Sequence, residues 1–170
     1  EIFGLFAPAR PDIALKIAYL PIRTTARQNA AWVSEFYVIM HSLASSVDKT
    51  LPIIDQIQWM TNIARQRLPN DSYSAKMFDF VQSRYRAGDK WEKVRDALYT
   101  KYQLNQEDDY DITSRNLYCN GCFASGINFA ASIVSLLYGE GDIVKTIKIA
   151  TLSGWDSDNP AATWGGLLGF

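Results

Sequence analysis

Asp156 and Asp158 stand one residue apart in "SGWDSDNPAATWGGLLGF" (153–170), after a Gly-Trp pair and ahead of a proline and a run of small residues. Two carboxylates so placed repel each other unless something positive lies near them. A helix N-terminus offers about 0.3–1 kcal/mol to each exposed negative charge. A hard divalent cation offers more, because Mg²⁺ and Ca²⁺ choose oxygen ligands. Asp156, Asp158 and the amide of Asn159 therefore make a candidate ligand set, beside the plainer reading of turn formers and caps. An EF-hand is excluded, since the sixth position counted from Asp156 is Ala161 and the twelfth Leu167, not Gly and Glu.

Other chemistry-bearing residues are sparse. Cys119 and Cys122 form one C-x-x-C and His41 is the sole histidine, too few for a four-ligand zinc site. The pair leads into a small-residue helix rather than following a strand, so it reads as structural rather than thioredoxin-like, and an oxidised pair fits a secreted chain. Asp108, Asp109 and Asp111 tempt comparison with the diphosphate-binding motif of all-helical terpene synthases. The position three after Asp109 is Ile112, so they read as a solvated acidic turn. Arg23, Arg27 and Asn29 are polar candidates for phosphate or ribose contacts, with solvent exposure as the competing reading. With 17 basic and 18 acidic residues, and its basic groups interleaved with Asp89 and Glu92, the chain excludes nucleic acid as main partner. No apolar run reaches the ~18 residues of a membrane span. A cytoplasmic location is favoured, and "NDS" (70–72) with the cysteine pair leaves secretion open.

The elements that must hold these groups all read as helices. Pro11 opens a helix with Ile13, Ile17 and Leu20 at helical spacing, which Pro21 should end. A stripe of Trp32, Phe36, Ile39, Met40 and Leu43 predicts a second over about 30–47. Pro52 fits the first turn of a third, with Ile53, Ile57, Met60 and Ala64 on one face. Tyr73, Met77, Phe80 and Tyr85 mark a fourth closing at Gly88; Trp91, Val94, Leu98 and Tyr102 mark a fifth with Asp89 as N-cap. A long buried helix ends at Gly139, and Asp142 caps the next, which Gly154 ends. Asn159 then reads as N-cap and Pro160 as first position of a last helix, whose Gly165, Gly166 and Gly169 predict close burial. The expectation is an all-α, compact orthogonal helix bundle forming one domain over 1–170.

The stretch "LLYGEGDIVKTIKIATLSGWDSDNPAATWGGLLG" (136–169) closely resembles the C-terminal motif region of the ADP-ribosylglycohydrolase family, which includes the dinitrogenase reductase-activating glycohydrolases. "FGLFAPARPDIALKIAYL" (3–20) and the segment 67–102 are similar to upstream helices of its Gly-Trp-Asp-x-Asp branch. The resemblance implies an all-α fold, two Mg²⁺ ions in a central cleft (Mn²⁺ or Ca²⁺ as substitutes), and hydrolysis of a glycosidic bond to ADP-ribose on a protein or small molecule. It implies that Asp156 and Asp158 are catalytic metal ligands, that Asn159 stands where the family has Thr or Cys, and that Gly154 and Trp155 face substrate. The segment 22–32 departs from the family's substrate loop, and Asn29 there is a substrate candidate by its polarity alone. The family's other metal half, Thr or Glu followed by paired aspartates, has no counterpart here. The chain accordingly reads as the central and C-terminal part of the domain, completed by an N-terminal remainder or a complementary chain. A catalytically eroded relative serving as a binding module is the alternative.

Overall fold

The computed structural model describes residues 1–170 and contains nine α-helices and no strand. These are α1 (Ile2–Leu5), α2 (Pro11–Thr25), α3 (Gln28–Leu43), α4 (Ile53–Arg65), α5 (Tyr73–Arg86), α6 (Trp91–Leu98), α7 (Ser125–Gly139), α8 (Ile143–Ser153) and α9 (Asp158–Gly169). The chain is an all-α bundle, as its periodicity predicts. No helix is long and apolar enough to cross a membrane.

The bundle is built around α7. All its residues except Ser125 and Tyr138 are buried, and it touches α3, α4, α5, α6, α8 and α9. A helix enclosed on every side must satisfy its own polar groups. Ser132 and Ser135 do so by donating back to the carbonyls of Phe129 and Ser132, each at 2.8 Å. The Ser132 carbonyl also accepts from the indole of fully buried Trp164 on α9 at 2.7 Å. The turn into α8 is tight: a Cβ on Gly139 would lie 1.8 Å from the Thr146 hydroxyl. Asp142 caps α8 by accepting from the Lys145 amide at 2.8 Å.

Several expectations fail for identifiable reasons. Pro21 does not end α2, which runs on to Thr25. Pro21 lies on the exposed side, where water can satisfy the carbonyl to which its ring cannot donate. The face of α2 turned inward is Ala14, Ala18 and Ile22, while Ile13, Ile17 and Leu20 face out. The small residues let α2 lie close on α3, a packing that size rather than hydrophobicity selects. Asp89 is not the cap of α6, which begins after Lys90; the Asp89 carboxylate instead pairs with Lys93 at 2.7 Å and Arg84 at 3.2 Å. Asn159 is not the cap of α9 either, because that helix starts at Asp158, placing Asn159 and Pro160 inside its first turn. Nor do the α9 glycines make close approaches. A Cβ would meet only ordinary contact at Gly165 and Gly169 and open space at Gly166.

Candidate functional site

The loop between α8 and α9 presents the acidic pair. Gly154 ends α8 at φ +87°, a conformation that glycine adopts without steric cost, and Trp155 follows at φ +55°. This sharp reversal turns the Trp155 ring onto the core and leaves Asp156 on the rim of a cleft of about 490 Å³. Glu1, Asn128, Asp156 and Asn159 are among the polar groups of the cleft, and Tyr37, Phe123 and Phe129 among its aromatic ones. The Asp156 backbone is fixed from α7, since its amide donates to Oδ1 of Asn128 at 3.0 Å.

The carboxyl groups of Asp156 and Asp158 lie near enough to influence each other. The Asp156 carboxyl is pushed above its ordinary value, first by its loss of water, then by the neighbouring carboxyl of Asp158. Asp158 is exposed at the first position of α9, where the helix end favours a negative charge. Together they make a site with one proton too tightly held and one charge too many. Either a shared proton or a cation relieves that.

The donors fit a hard divalent ion in kind. Two carboxylates and the Asn159 amide offer oxygen alone, and the desolvated Asp156 carboxyl is what a cation would relieve. They fall short in number. No cluster of three or more His, Cys, Asp or Glu side chains suited to a metal forms anywhere in the chain. An octahedral ion held by these groups would complete its shell from water, substrate or further donors.

The remaining sequence candidates lie apart. Asp158, Gly154 and Trp155 do not line the cleft; Trp155 donates its indole N–H to Oε1 of Gln103. Asn29 opens onto a second depression of about 400 Å³, beside Arg27, Asp71, Asp109 and Arg115. Its side-chain oxygen accepts from the Ser74 hydroxyl at 2.9 Å and amide at 3.2 Å, at the start of α5. The two depressions share Ala30 on their walls. Asp108 is not a freely solvated turn residue: Lys101 at 3.0 Å, Lys76 at 3.7 Å and the Tyr102 hydroxyl at 3.1 Å hold it. Asp109 is exposed, as expected.

Two residues that sequence reasoning missed support the acidic loop, Asn128 and Gln103. Both are almost wholly buried, at 8% exposure each. The available signal was an asparagine in the otherwise apolar run "GINFAAS". Such an amide needs several partners once buried, so it marks a place where another loop docks. Cys119 and Cys122, just before it, form a disulfide.

A family model for ADP-ribosylglycohydrolase matches residues 2–170 of the chain. No curated protein and no solved structure matches it.

Proposed function

The chain belongs to the ADP-ribosylglycohydrolase family, and from that premise we propose that its cleft hydrolyses the glycosidic bond between ADP-ribose and a protein side chain or small molecule, with Mg²⁺ as cofactor. A glycohydrolase role in ADP-ribose metabolism comes with the family. The observation that carries the finer reading is that Asp156 and Asn159 stand on the wall of one cleft, with the Asp156 carboxyl raised by loss of water and by neighbouring Asp158.

In this reading Asp156, Asp158 and the Asn159 amide hold the divalent cation, Mn²⁺ or Ca²⁺ substituting for Mg²⁺. When bound, the cation would order the ribose hydroxyls and stabilise charge near the anomeric carbon. The protein does the rest. The Asn128–Asp156 hydrogen bond fixes the Asp156 backbone at the rim, and the aromatic groups of the cleft exclude water from the sugar. A carboxylate outside that ligand set takes the proton of the attacking water. Trp155 and Gly154 serve substrate by setting the course of the loop, and Asn29 faces it only if substrate extends past Ala30 into the second depression. Further oxygen donors come from water, substrate or a complementary chain.

The test is release of ADP-ribose from ADP-ribosylated arginine and serine peptides across a Mg²⁺ titration, by wild type and by Asp156→Ala/Asp158→Ala. Metal-dependent release, lost in the variant by at least about 10³-fold, supports the reading. Equal release by both would sink it. A second reading, a relative whose site only binds ADP-ribosyl groups, is favoured by the two-carboxylate count. It predicts ADP-ribose affinity without turnover under the same conditions.

A further inference from the structure

The disulfide loop and the acidic loop are joined by two buried amides, each used at both ends. Asn128 on α7 donates from Nδ2 to the carbonyl of Cys122 at 2.7 Å, while its Oδ1 accepts the Asp156 amide at 3.0 Å. Gln103 donates from Nε2 to the carbonyl of Asn120 at 3.4 Å, while its Oε1 accepts the Trp155 indole N–H. Asn120 and Cys122 lie within or beside the Cys119–Cys122 crosslink; Trp155 and Asp156 open the acidic loop. Each amide therefore touches both loops, Asn128 being also anchored by donating to the Ala124 carbonyl at 3.0 Å.

The crosslinked loop holds a costly shape. Cys119, Asn120 and Gly121 are three successive residues at positive φ, of +45°, +54° and +76°, and only the last is glycine. A Cβ on Gly121 would lie 2.3 Å from Ile112, so the loop is also pressed onto its neighbour. Opening the crosslink frees Cys119 and Asn120 to return to right-handed or extended backbone, carrying the Asn120 and Cys122 carbonyls off the two amides. The loop is reachable for exchange, since Tyr118 and Phe123 beside the cysteines are 83% and 62% exposed.

We propose that Asn128 and Gln103 are positioning residues that couple the Cys119–Cys122 disulfide to the Trp155–Asp158 loop, so that reduction of the disulfide loosens the acidic pair. The reductant is a dithiol. A thiolate attacks one sulfur to form a mixed disulfide, and its second thiol displaces the other cysteine. Two electrons and two protons pass to Cys119 and Cys122 while the dithiol closes to its own disulfide. The consequence for activity rests on the reading of the cleft given above; the mechanical coupling does not.

Hydrogen exchange read by mass spectrometry tests the coupling on the intact chain, with dithiothreitol as the dithiol. Reduction raises exchange in 117–123 and also in 153–159, the latter about tenfold, on the order of losing one to two buried hydrogen bonds. Peptides of α5 stay unchanged. In Asn128→Ala the 153–159 segment exchanges fast before reduction, and the dithiol adds little, the signature of a shared connection. Cys119→Ser/Cys122→Ser exchanges like the reduced wild type and ignores the dithiol. The proposal is overturned if reduction leaves 153–159 unchanged, or if the effects of Asn128→Ala and of reduction simply add. Activity separates the two readings: a cleft with no hydrolase activity leaves the exchange result standing, whereas an active cleft with uncoupled exchange removes only this proposal.

Discussion

Replacing Asp156 with asparagine removes the charge that the fold holds least comfortably, and should stabilise the chain. The Asp156 carboxyl is raised by desolvation and by Asp158, so the folded state resists its ionisation. As a scale, two unit charges about 4 Å apart repel by about 1 kcal/mol in bulk water and about 4 kcal/mol at an effective dielectric of 20. Solvent reaches Asp158, which is exposed, so the lower end applies and the net gain is about 1 kcal/mol. Asparagine keeps the backbone amide that bonds Asn128, and Asp158 keeps its place at the start of α9. For a domain of this size 1 kcal/mol corresponds to about 2–4 °C in Tm. The sign with pH follows from the raised carboxyl. The folded wild type binds its proton more tightly than the unfolded chain, so it loses stability as pH rises from the ordinary carboxylate value through the raised one. The Asp156→Asn variant has no such loss. The gain should therefore be absent near pH 3, complete at pH 7, and reduced in 1 M salt. Thermal melts at both pH values, in chelator so that no cation masks the repulsion, measure it. A variant less stable than wild type at pH 7, or equally stabilised at pH 3, would refute the argument that the pair is under electrostatic strain.

Two further substitutions probe the scaffold behind the site. Glu35, only 5% exposed on α3, takes Arg67 at 2.5 Å and Arg23 at 3.5 Å, so Glu35→Gln leaves two guanidinium groups without their shared counter-charge. It should cost about 2 kcal/mol, read as a lower urea midpoint with an unchanged slope, and no loss would show that solvent already satisfies both arginines. Gly139→Ala drives a methyl into Thr146 and should cost about 1–3 kcal/mol; Thr146→Ala, added to it, should restore only part, because the Thr146 Cα also lies 2.9 Å from that methyl.

The sequence was most readable where one physical rule acts alone. Asp142 as a cap, Gly154 as a stop, and the stripe of α3 each follow from a single preference, and each stands in the fold. The stripe of α6, by contrast, holds to Leu98, and its Tyr102 falls in the π-helical turn 99–104 that follows. It was least readable where two faces of a helix compete. On α2 the larger apolar residues mark one face and the small ones another, and the core chose Ala14, Ala18 and Ile22 because they admit α3 at close range. Periodicity finds a face but cannot say whether volume or hydrophobicity will claim it. The glycines of α9 erred in the opposite sense, since small residues permit close approach without requiring it. At the site, Asp156 and Asn159 were legible from spacing and both line the cleft. Asn128 and Gln103 were not, because their partners lie 28 and 52 residues away and no local pattern announces such a contact.

The displaced start of α9 bears most directly on the chemistry. Read from the sequence, Asn159 has two competing uses, cap and ligand, and a helix beginning at Pro160 would spend its side chain on the first turn. With α9 beginning at Asp158, the N-cap position falls to Ser157, whose side chain makes no capping bond. The end of the helix is served instead by its own geometry: the Asn159 amide donates back to the Asp156 carbonyl at 3.2 Å, and Pro160 brings no amide that needs a partner. Asn159 is thereby released from capping and stands on the wall of the same cleft as Asp156. An uncommitted amide oxygen beside two carboxylates adds a neutral donor without adding charge. That matters here, because a third carboxylate would deepen the repulsion that already raises Asp156. Asn159→Asp should therefore raise the Asp156 carboxyl further and reverse part of the gain seen in Asp156→Asn, whereas Asn159→Ala should leave stability near wild type. If Asn159→Ala destabilises α9 as a lost cap does, by about 1 kcal/mol, the side chain is structural and its place in the ligand set falls.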